Sequence, residues 1–153
     1  MTENENLKGI GGWLIIPSIS FILMPIIQIA NISNNVYILK NPDLFDFLIG
    51  DSALRLLNMF SVLISILFLL AFIFAGYLFF KKYEIFPKYF CWFLIIQILL
   101  KTIFMIWFYL IESEISGEIN SFIGSFTIAL IWIPYFKKSK RVKNTFIYSV
   151  QGH

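Results

Sequence analysis

Charged residues are scarce in this chain, and their scarcity excludes several classes of protein. Of its 153 residues only 14% are charged and 59% are hydrophobic, and the mean hydropathy is +0.81. A soluble domain of ordinary composition has about 25% charged and about 45–50% apolar residues. So few charges argue against a small soluble globule, a disordered chain and a nucleic-acid-binding module. The composition therefore predicts an integral membrane protein.

Cysteine and histidine are nearly absent, which limits the chemistry of the chain. Cys91 is the one cysteine, so it cannot form an internal disulfide, and His153 is the one histidine. Zinc, haem and iron–sulfur sites need several such ligands, so we expect no metal and no cofactor. The glycines within residues 9–14 are followed by no Lys-Ser or Lys-Thr pair, which argues against a phosphate-binding loop. With no nucleophile beside a histidine and no paired acids, the sequence predicts a protein that is not an enzyme.

Four long apolar runs follow one another along the chain, at residues 10–30, 56–80, 89–111 and 119–136. Each can cross a hydrocarbon core of about 30 Å as a helix that rises about 1.5 Å per residue. The leader is only weakly basic and no small-residue cleavage site follows the first run, so we expect this run to be retained. The predicted fold is all-α: an integral membrane bundle of four transmembrane helices, in a single domain that ends in a basic tail, residues 137–153.

The charges of the connections alternate in sign. The connection at 81–88 has three lysines, whereas the connection at 112–118 has three glutamates and no cation. The connection at 31–52 has three aspartates beside Lys40. Because cytoplasmic connections carry the excess of Lys and Arg, we predict that residues 81–88 and the tail are cytoplasmic. The protein would then be a multi-pass membrane protein with both termini in the cytoplasm.

The first connection contains a motif typical of a helix start. Asn41 can serve as the cap, Pro42 as the first helical residue and Asp43 as an acid in the first turn. Apolar residues follow at helical spacing, which indicates a short amphipathic helix on the outer membrane surface. An irregular loop is the open alternative.

Lys101 is the most unusual residue, because it lies near the middle of the third run. A cation at that depth costs about 2.5–3.5 kcal/mol on insertion scales, and intramembrane charges are functional candidates by default. Gln97 shares its helix face, Gln28 and Ser65 occur at comparable depth on other helices, and Ser125 lies near the same level. One interpretation is an outward-open polar pocket of Lys101, Gln97 and Gln28 that binds an anion or a lipid headgroup. The other is a lysine that snorkels or makes interhelical hydrogen bonds without chemistry.

The tail begins with a dense basic cluster beside the predicted inner membrane face. Its cations are Lys137, Lys138, Lys140, Arg141 and Lys143. They could bind anionic lipid phosphates, at about 1 kcal/mol per cation. The alternative is that they only fix the topology, and recognition of nucleic acid is a poor third because the tail offers no element that reads a groove.

Small residues recur every four positions in the fourth run, at Gly117, Ser121, Ser125 and Ala129. Such a row lets another helix approach closely, and we favour packing within the chain over packing between chains. Phenylalanine is frequent, with 18 residues, but this abundance fits AT-rich codons as well as a functional lining, and we draw no site from it.

Both ends of the chain carry motifs that together resemble a known family. Residues 11–14 (Gly-Gly-Trp-Leu) open the first run, and residues 131–136 (Ile-Trp-Ile-Pro-Tyr-Phe), 139–143 (Ser-Lys-Arg-Val-Lys) and 145–146 (Thr-Phe) close the chain's last run and begin its tail. Over nearly its whole length the chain resembles the bacterial membrane-protein family catalogued as domain of unknown function 2569. The resemblance implies a four-helix inner-membrane protein that keeps its first helix. It implies no assigned reaction and no catalytic residue.

These two motif segments are both predicted at the cytoplasmic face. We expect residues 11–13 to pack against residues 132–136, with the basic tail on the lipid headgroups. A kink at Pro134 would turn the tail along the membrane.

Two functional hypotheses follow. The first is a non-enzymatic accessory or regulatory membrane protein, in contact with anionic lipids at its cytoplasmic face and open to a membrane-protein partner. The alternative is a small transporter or an anion- or lipid-binding protein with its pocket around Lys101. No Asp or Glu lies deep in any apolar run, and the lack of such a proton relay argues against a proton-coupled transporter.

Overall fold

The computed structural model describes residues 9–41, 52–110 and 116–148, with the side chains of all but residues 52–54, 57 and 118. Its helices are α1 (Ile15–Lys40), α2 (Ser52–Phe80), α3 (Phe86–Leu110), α4 (Ser116–Lys138) and the short α5 (Lys140–Thr145). A single 3-10 turn, Gly12–Leu14, leads into α1. The four long helices are each long and apolar enough to cross a membrane. The predicted all-α fold with four membrane-spanning helices is therefore confirmed.

Helix α1 is longer than its apolar run, because it continues past residue 30 to Lys40. Residues 31–40 contain no glycine or proline, so nothing in them interrupts the backbone hydrogen bonds. The helix ends at Asn41, whose backbone is extended (φ −109°, ψ 96°) as expected for a residue that precedes a proline. The Asn41 side-chain amide donates to the Tyr37 carbonyl at 2.7 Å. The short helix predicted from Asn41-Pro42-Asp43 onward lies outside the described residues.

Helix α4 ends at Lys138, and the chain leaves it at Ser139 before α5 begins. Pro134 lies inside α4, which continues to Lys138. Ser139 has an extended backbone, and its hydroxyl caps α5 by accepting a hydrogen bond from the Val142 amide at 3.4 Å. A serine before a helical segment is a favourable cap, and this local preference sets the corner.

The chain divides into two compact units, of which one is Trp13–Tyr77. In this unit Phe21 of α1 is buried, and its ring lies 4.8 Å from the ring of Phe72 of α2, centroid to centroid. A Cβ on Gly76 would lie 3.4 Å from Phe21 Cδ1, so the glycine lets the ring lie against the α2 backbone. The Gln28 side-chain amide donates to the Ser65 carbonyl at 3.3 Å. An aromatic contact and a polar contact thus join α1 to α2.

The other unit consists of Met1–Gly12 and Leu78–His153, and its described core is aromatic. Phe79 and Phe86 are completely buried, and their rings are 5.1 Å apart. Phe146 lies 4.8 Å from Phe86, while Phe136 lies 5.4 Å from Phe86 and 5.3 Å from Phe90. Aromatic pairs at these centroid distances and tilted angles stabilise a core beyond the area they bury. Five of the phenylalanines therefore form a packed cluster, which the composition alone gave no reason to expect.

The turn between α2 and α3 contains a residue with a strained backbone. Lys82 has φ 56°, the one non-glycine residue in the left-handed region among those described. Its amide donates to the Phe79 carbonyl at 3.0 Å and the Tyr83 amide donates to the Leu78 carbonyl at 3.0 Å. This pair of bonds closes a helix at a residue that is usually glycine. A lysine therefore occupies a glycine-type position at the end of α2.

Candidate functional site

The Lys101 side chain reaches from α3 to α4. Its Nζ donates to the Ser121 carbonyl at 3.1 Å, to Ser121 Oγ at 2.7 Å and to Ser125 Oγ at 2.6 Å. An ammonium group has three N–H donors and no acceptor, so these three oxygens match its donors in number. Lys101 is half-buried and Ser125 is buried. The residue singled out by its depth in the sequence thus joins two neighbouring helices.

The acceptors for Lys101 come from the small-residue row of α4. Ser121 and Ser125 are one helical turn apart, so they lie on one face. Ser125 and Ala129 are 7% and 3% exposed, whereas no described atom lies within 4 Å of the position of a Cβ on Gly117. Among the described residues, the row is therefore packed at Ser125 and Ala129. Small side chains here leave room for the lysine to reach the α4 backbone.

The other two candidates have different surroundings. Gln97 lies one turn before Lys101 on α3 and is half-buried. Gln28 binds the Ser65 carbonyl within the Trp13–Tyr77 unit. The two residues that the sequence placed at comparable depth, Gln28 and Ser65, are thus partners of each other. Lys101 has its own partners on α4.

The five cations of the basic cluster differ in their exposure. Lys137, Lys138, Lys140 and Lys143 are exposed, whereas Arg141 is half-buried. A Cβ on Gly11 would lie 2.7 Å from Arg141 Nη1, and one on Gly12 would lie 3.7 Å from Arg141 Cζ. The guanidinium therefore lies directly over the backbone of these two glycines. Four of the five predicted headgroup contacts are exposed, and the fifth packs against the N-terminal segment.

The start of the tail is folded onto the protein. Thr145 is 2% exposed, and its hydroxyl donates to the Gly9 carbonyl at 3.1 Å. Val142 and Phe146 are also buried. The Tyr148 amide donates to the Lys82 carbonyl at 3.3 Å, and the Glu84 amide donates to the Tyr148 carbonyl at 3.0 Å. The tail therefore holds both the N-terminal segment and the turn between α2 and α3.

This docking includes contacts that the sequence did not predict. The contacts described for Gly9, Gly11 and Gly12 are with Arg141 and Thr145 of α5, and the packing of residues 11–13 against residues 132–136 stays a prediction. Val142 and Phe146 of the tail are buried, with the Phe146 ring in the aromatic core, while the contact of the tail's cations with lipid headgroups stays a prediction. The overlooked signal was Val142 within the basic cluster and Phe146 just after it, because a solvated basic tail does not need these apolar residues.

A groove opens between the first turns of α3 and the last turn of α4. Its volume is about 480 Å³, and it is lined by Pro87, Lys88, Cys91, Trp92, Ile95, Phe136 and Lys137. The Phe136 ring and the Cys91 side chain are buried, whereas both lysines are exposed. The site therefore has an apolar wall and cationic side chains. No group of three or more His, Cys, Asp or Glu residues lies together as a metal site within the described parts of the chain.

Comparison with known protein families gives a match over nearly the whole chain. The family model described as protein of unknown function (DUF2569) matches residues 7–147. The chain belongs to this family. The match to DUF2569 includes the glycine segment at residues 11–12, all four long helices and the docked tail through residue 147. No curated protein and no solved structure shows significant similarity to this chain.

Proposed function

We propose that this DUF2569 protein is a non-enzymatic accessory or regulatory component of a bacterial cytoplasmic membrane. The observation that carries the proposal is the hydrogen bonding of Lys101. Three serine oxygens surround its ammonium group within 2.6–3.1 Å. An ammonium with this set of acceptors stabilises the contact between α3 and α4 and has little capacity for a substrate.

The alternative, an anion or lipid site around Lys101, receives less support from this geometry. A ligand anion would have to replace Ser121 and Ser125 as acceptors, and Ser125 is only 7% exposed. Titration of the purified protein with phosphate or sulfate, followed by the fluorescence of Trp107 on α3, tests this alternative. Saturable quenching that disappears in Lys101→Met would favour the binding site over the accessory role.

We further propose that both termini are cytoplasmic. The positive-inside rule supports this orientation, because lysines dominate residues 81–88 and the tail. The bonds that link Lys82 to Tyr148 and Gly9 to Thr145 support placing these segments on the same side of the membrane, and the charges decide which side that is.

Cysteine labelling tests the orientation. In a Cys91→Ser background, Lys140→Cys should react with a membrane-impermeant maleimide only after the cells are permeabilised. Glu114→Cys, in the connection predicted to lie outside, should react in intact cells. The reverse pattern would overturn the orientation.

The exposed lysines of the basic cluster are proposed to contact anionic lipid headgroups. Lys137, Lys138, Lys140 and Lys143 have exposed side chains, and each cation near an anionic surface contributes about 1 kcal/mol. Arg141 is left out of this set because its guanidinium lies on Gly11 and Gly12. We assign Arg141 to holding the N-terminal segment.

Site-specific photocrosslinking in native membranes tests the accessory role. Ile123 and Leu130 of α4 are 54% and 60% exposed, so a photoreactive residue at either position would reach a neighbouring membrane protein. We expect a discrete adduct with one protein. The same probe at Ala129, which is 3% exposed on the same helix, is the matched control. Adducts with lipid alone at outward positions of all four long helices would contradict an accessory role.

A further inference from the structure

The groove between α3 and α4 lies where the two helices leave the apolar part of the chain. Lys88 is the third residue of α3, and Lys137 is the last residue but one of α4. The apolar spans of these helices also end there, at Phe86 and at Lys138. The mouth of the groove therefore lies at the level at which lipid headgroups meet the hydrocarbon core.

The lining of the groove has two chemically different parts. Phe136, Ile95 and Cys91, together with Trp92 and Pro87, supply an apolar wall. Lys88 and Lys137 supply two cations, and no acidic residue is among the lining residues described. The volume of this open groove, about 480 Å³, falls within the range of about 300–1,000 Å³ found for sites that bind small molecules.

We infer that this groove binds one anionic phospholipid, with its phosphate at Lys88 and Lys137 and an acyl chain along Cys91, Trp92 and Ile95. The inference deepens the proposed lipid contact of the cytoplasmic end, and it rests on that proposal. It narrows a diffuse headgroup contact to one site.

Charge complementarity favours this occupant over others. A phospholipid anion matches both parts of the groove, because its phosphate satisfies the cations and its chain covers the apolar wall. A free phosphate would leave the apolar wall exposed. A zwitterionic lipid carries its own cation, which the two lysines would repel. Trp92 is 58% exposed at this level, as expected for an aromatic residue at a membrane interface.

The other exposed lysines provide a matched comparison. Lys140 and Lys143 are exposed on α5 and are not among the lining residues. Removing them takes away as much charge as removing Lys88 and Lys137. A specific site predicts different effects of these two pairs of substitutions, whereas a diffuse surface potential predicts similar effects.

The experiment uses Trp92 as a reporter inside the groove. The chain contains four tryptophans, so Trp13→Phe, Trp107→Phe and Trp132→Phe leave Trp92 as the single reporter. This protein is reconstituted in vesicles of phosphatidylcholine that contain brominated phosphatidylglycerol or brominated phosphatidylcholine with identical chains. Quenching of Trp92 fluorescence against the fraction of brominated lipid gives the relative binding constant of the two lipids.

We expect a preference for phosphatidylglycerol that falls about fivefold in Lys88→Ala and about fivefold in Lys137→Ala. In the double variant the preference should fall about thirtyfold at most. The Lys140→Ala/Lys143→Ala control should keep the preference of the starting protein. Ile95→Phe, which narrows the apolar part, should weaken quenching by both lipids without changing the charges.

Equal effects of the two lysine pairs, or no preference for the anionic lipid in the starting protein, would overturn the inference. If the double variant fails to reconstitute with native helicity, the two single variants decide the result. The photocrosslinking of α4 to a partner protein does not depend on this groove. Failure of the lipid site and failure of the accessory role are therefore separate outcomes.

Discussion

The hydrogen bonds of Lys101 can be measured as an interaction between α3 and α4. Replacing Lys101 by Met removes the cation, and replacing Ser125 by Ala removes the acceptor that lies 2.6 Å from Nζ. Neither single change isolates the bond, because Lys101→Met also removes a cost of about 2.5–3.5 kcal/mol for placing a cation deep in a membrane. The double-mutant cycle cancels that contribution and leaves the pairwise coupling energy.

The expected coupling energy is about 1.5 kcal/mol. A hydrogen bond to a charged group contributes about 1.5–3 kcal/mol in water-soluble proteins. Interhelical polar contacts inside membranes average about 0.6 kcal/mol, with a maximum near 1.7 kcal/mol. The Lys101 bond is charged, short and directed at a buried serine, which favours a value near the upper end of the membrane range. After Ser125→Ala, the lysine still has the carbonyl and hydroxyl of Ser121 as acceptors, which keeps the coupling below the upper value for charged bonds.

The free energy of unfolding of the four proteins in the cycle can be measured in mixed micelles of a mild detergent and dodecyl sulfate. Circular dichroism follows the loss of helix, and the coupling energy is the deviation of the double variant from additivity. Thr127→Val on α4 is the matched control, because the Thr127 hydroxyl donates to the Ile123 carbonyl of its own helix at 2.8 Å. A cycle of Lys101→Met with Thr127→Val should be additive within about 0.3–0.5 kcal/mol.

A coupling energy within that additive range for Lys101 and Ser125 would refute the reasoning. The lysine would then exchange its serine partners freely for solvent or a ligand. That result would favour the pocket alternative over a structural role.

Three further predictions concern the docked tail and the turn beneath it. Phe146→Ala should lower the free energy of unfolding by about 3 kcal/mol, because the ring is only 5% exposed within the aromatic core. Ile147→Ala, at a side chain 57% exposed, should change that free energy by less than about 0.5 kcal/mol. Equal losses in the two variants would contradict docking of the tail. Gly11→Val should displace the Arg141 guanidinium, because Nη1 would lie 2.7 Å from the new Cβ. Trypsin should then cleave after Arg141 faster than in the parent protein. An unchanged cleavage rate would argue against this contact. Lys82→Gly should raise the free energy of unfolding by about 1 kcal/mol, since the left-handed backbone at φ 56° costs a lysine about 1–2 kcal/mol. A lower free energy of unfolding would mean that the contacts of the Lys82 side chain stabilise the protein by more than this strain costs.

Some features of this protein were predictable from the sequence because they depend on local composition. A span needs only about 20 apolar residues, so the four runs identified four helices regardless of how they pack. Membership of the family rested on contiguous motifs at the two ends, and the family match over residues 7–147 confirms it. Lys101 was recognisable as a candidate for the same reason, since a cation within an apolar run is visible without a fold.

Helix ends were less predictable, because they depend on competition between neighbouring residues. Residues 31–40 look like a polar loop by hydropathy, but the helix continues through them until the residue before Pro42. Pro134 does not end α4, which continues to Lys138, and the next helix begins where Ser139 supplies a cap. Apolar content describes where a helix can cross a membrane, whereas backbone hydrogen bonding and capping decide where it ends.

By itself the sequence determined the class of the protein, its number of long helices and the residues worth testing. Only the tertiary structure decided what those residues touch. In the structure Lys101 donates to Ser121 and Ser125, and Gln28 donates to Ser65. Arg141 lies against the backbone at Gly11. The physical reason is that hydropathy is a property of each residue separately, namely its free energy of transfer between water and lipid. A contact depends on which distant residues approach within a few ångströms, and in this chain Thr145 meets Gly9 across nearly its whole length.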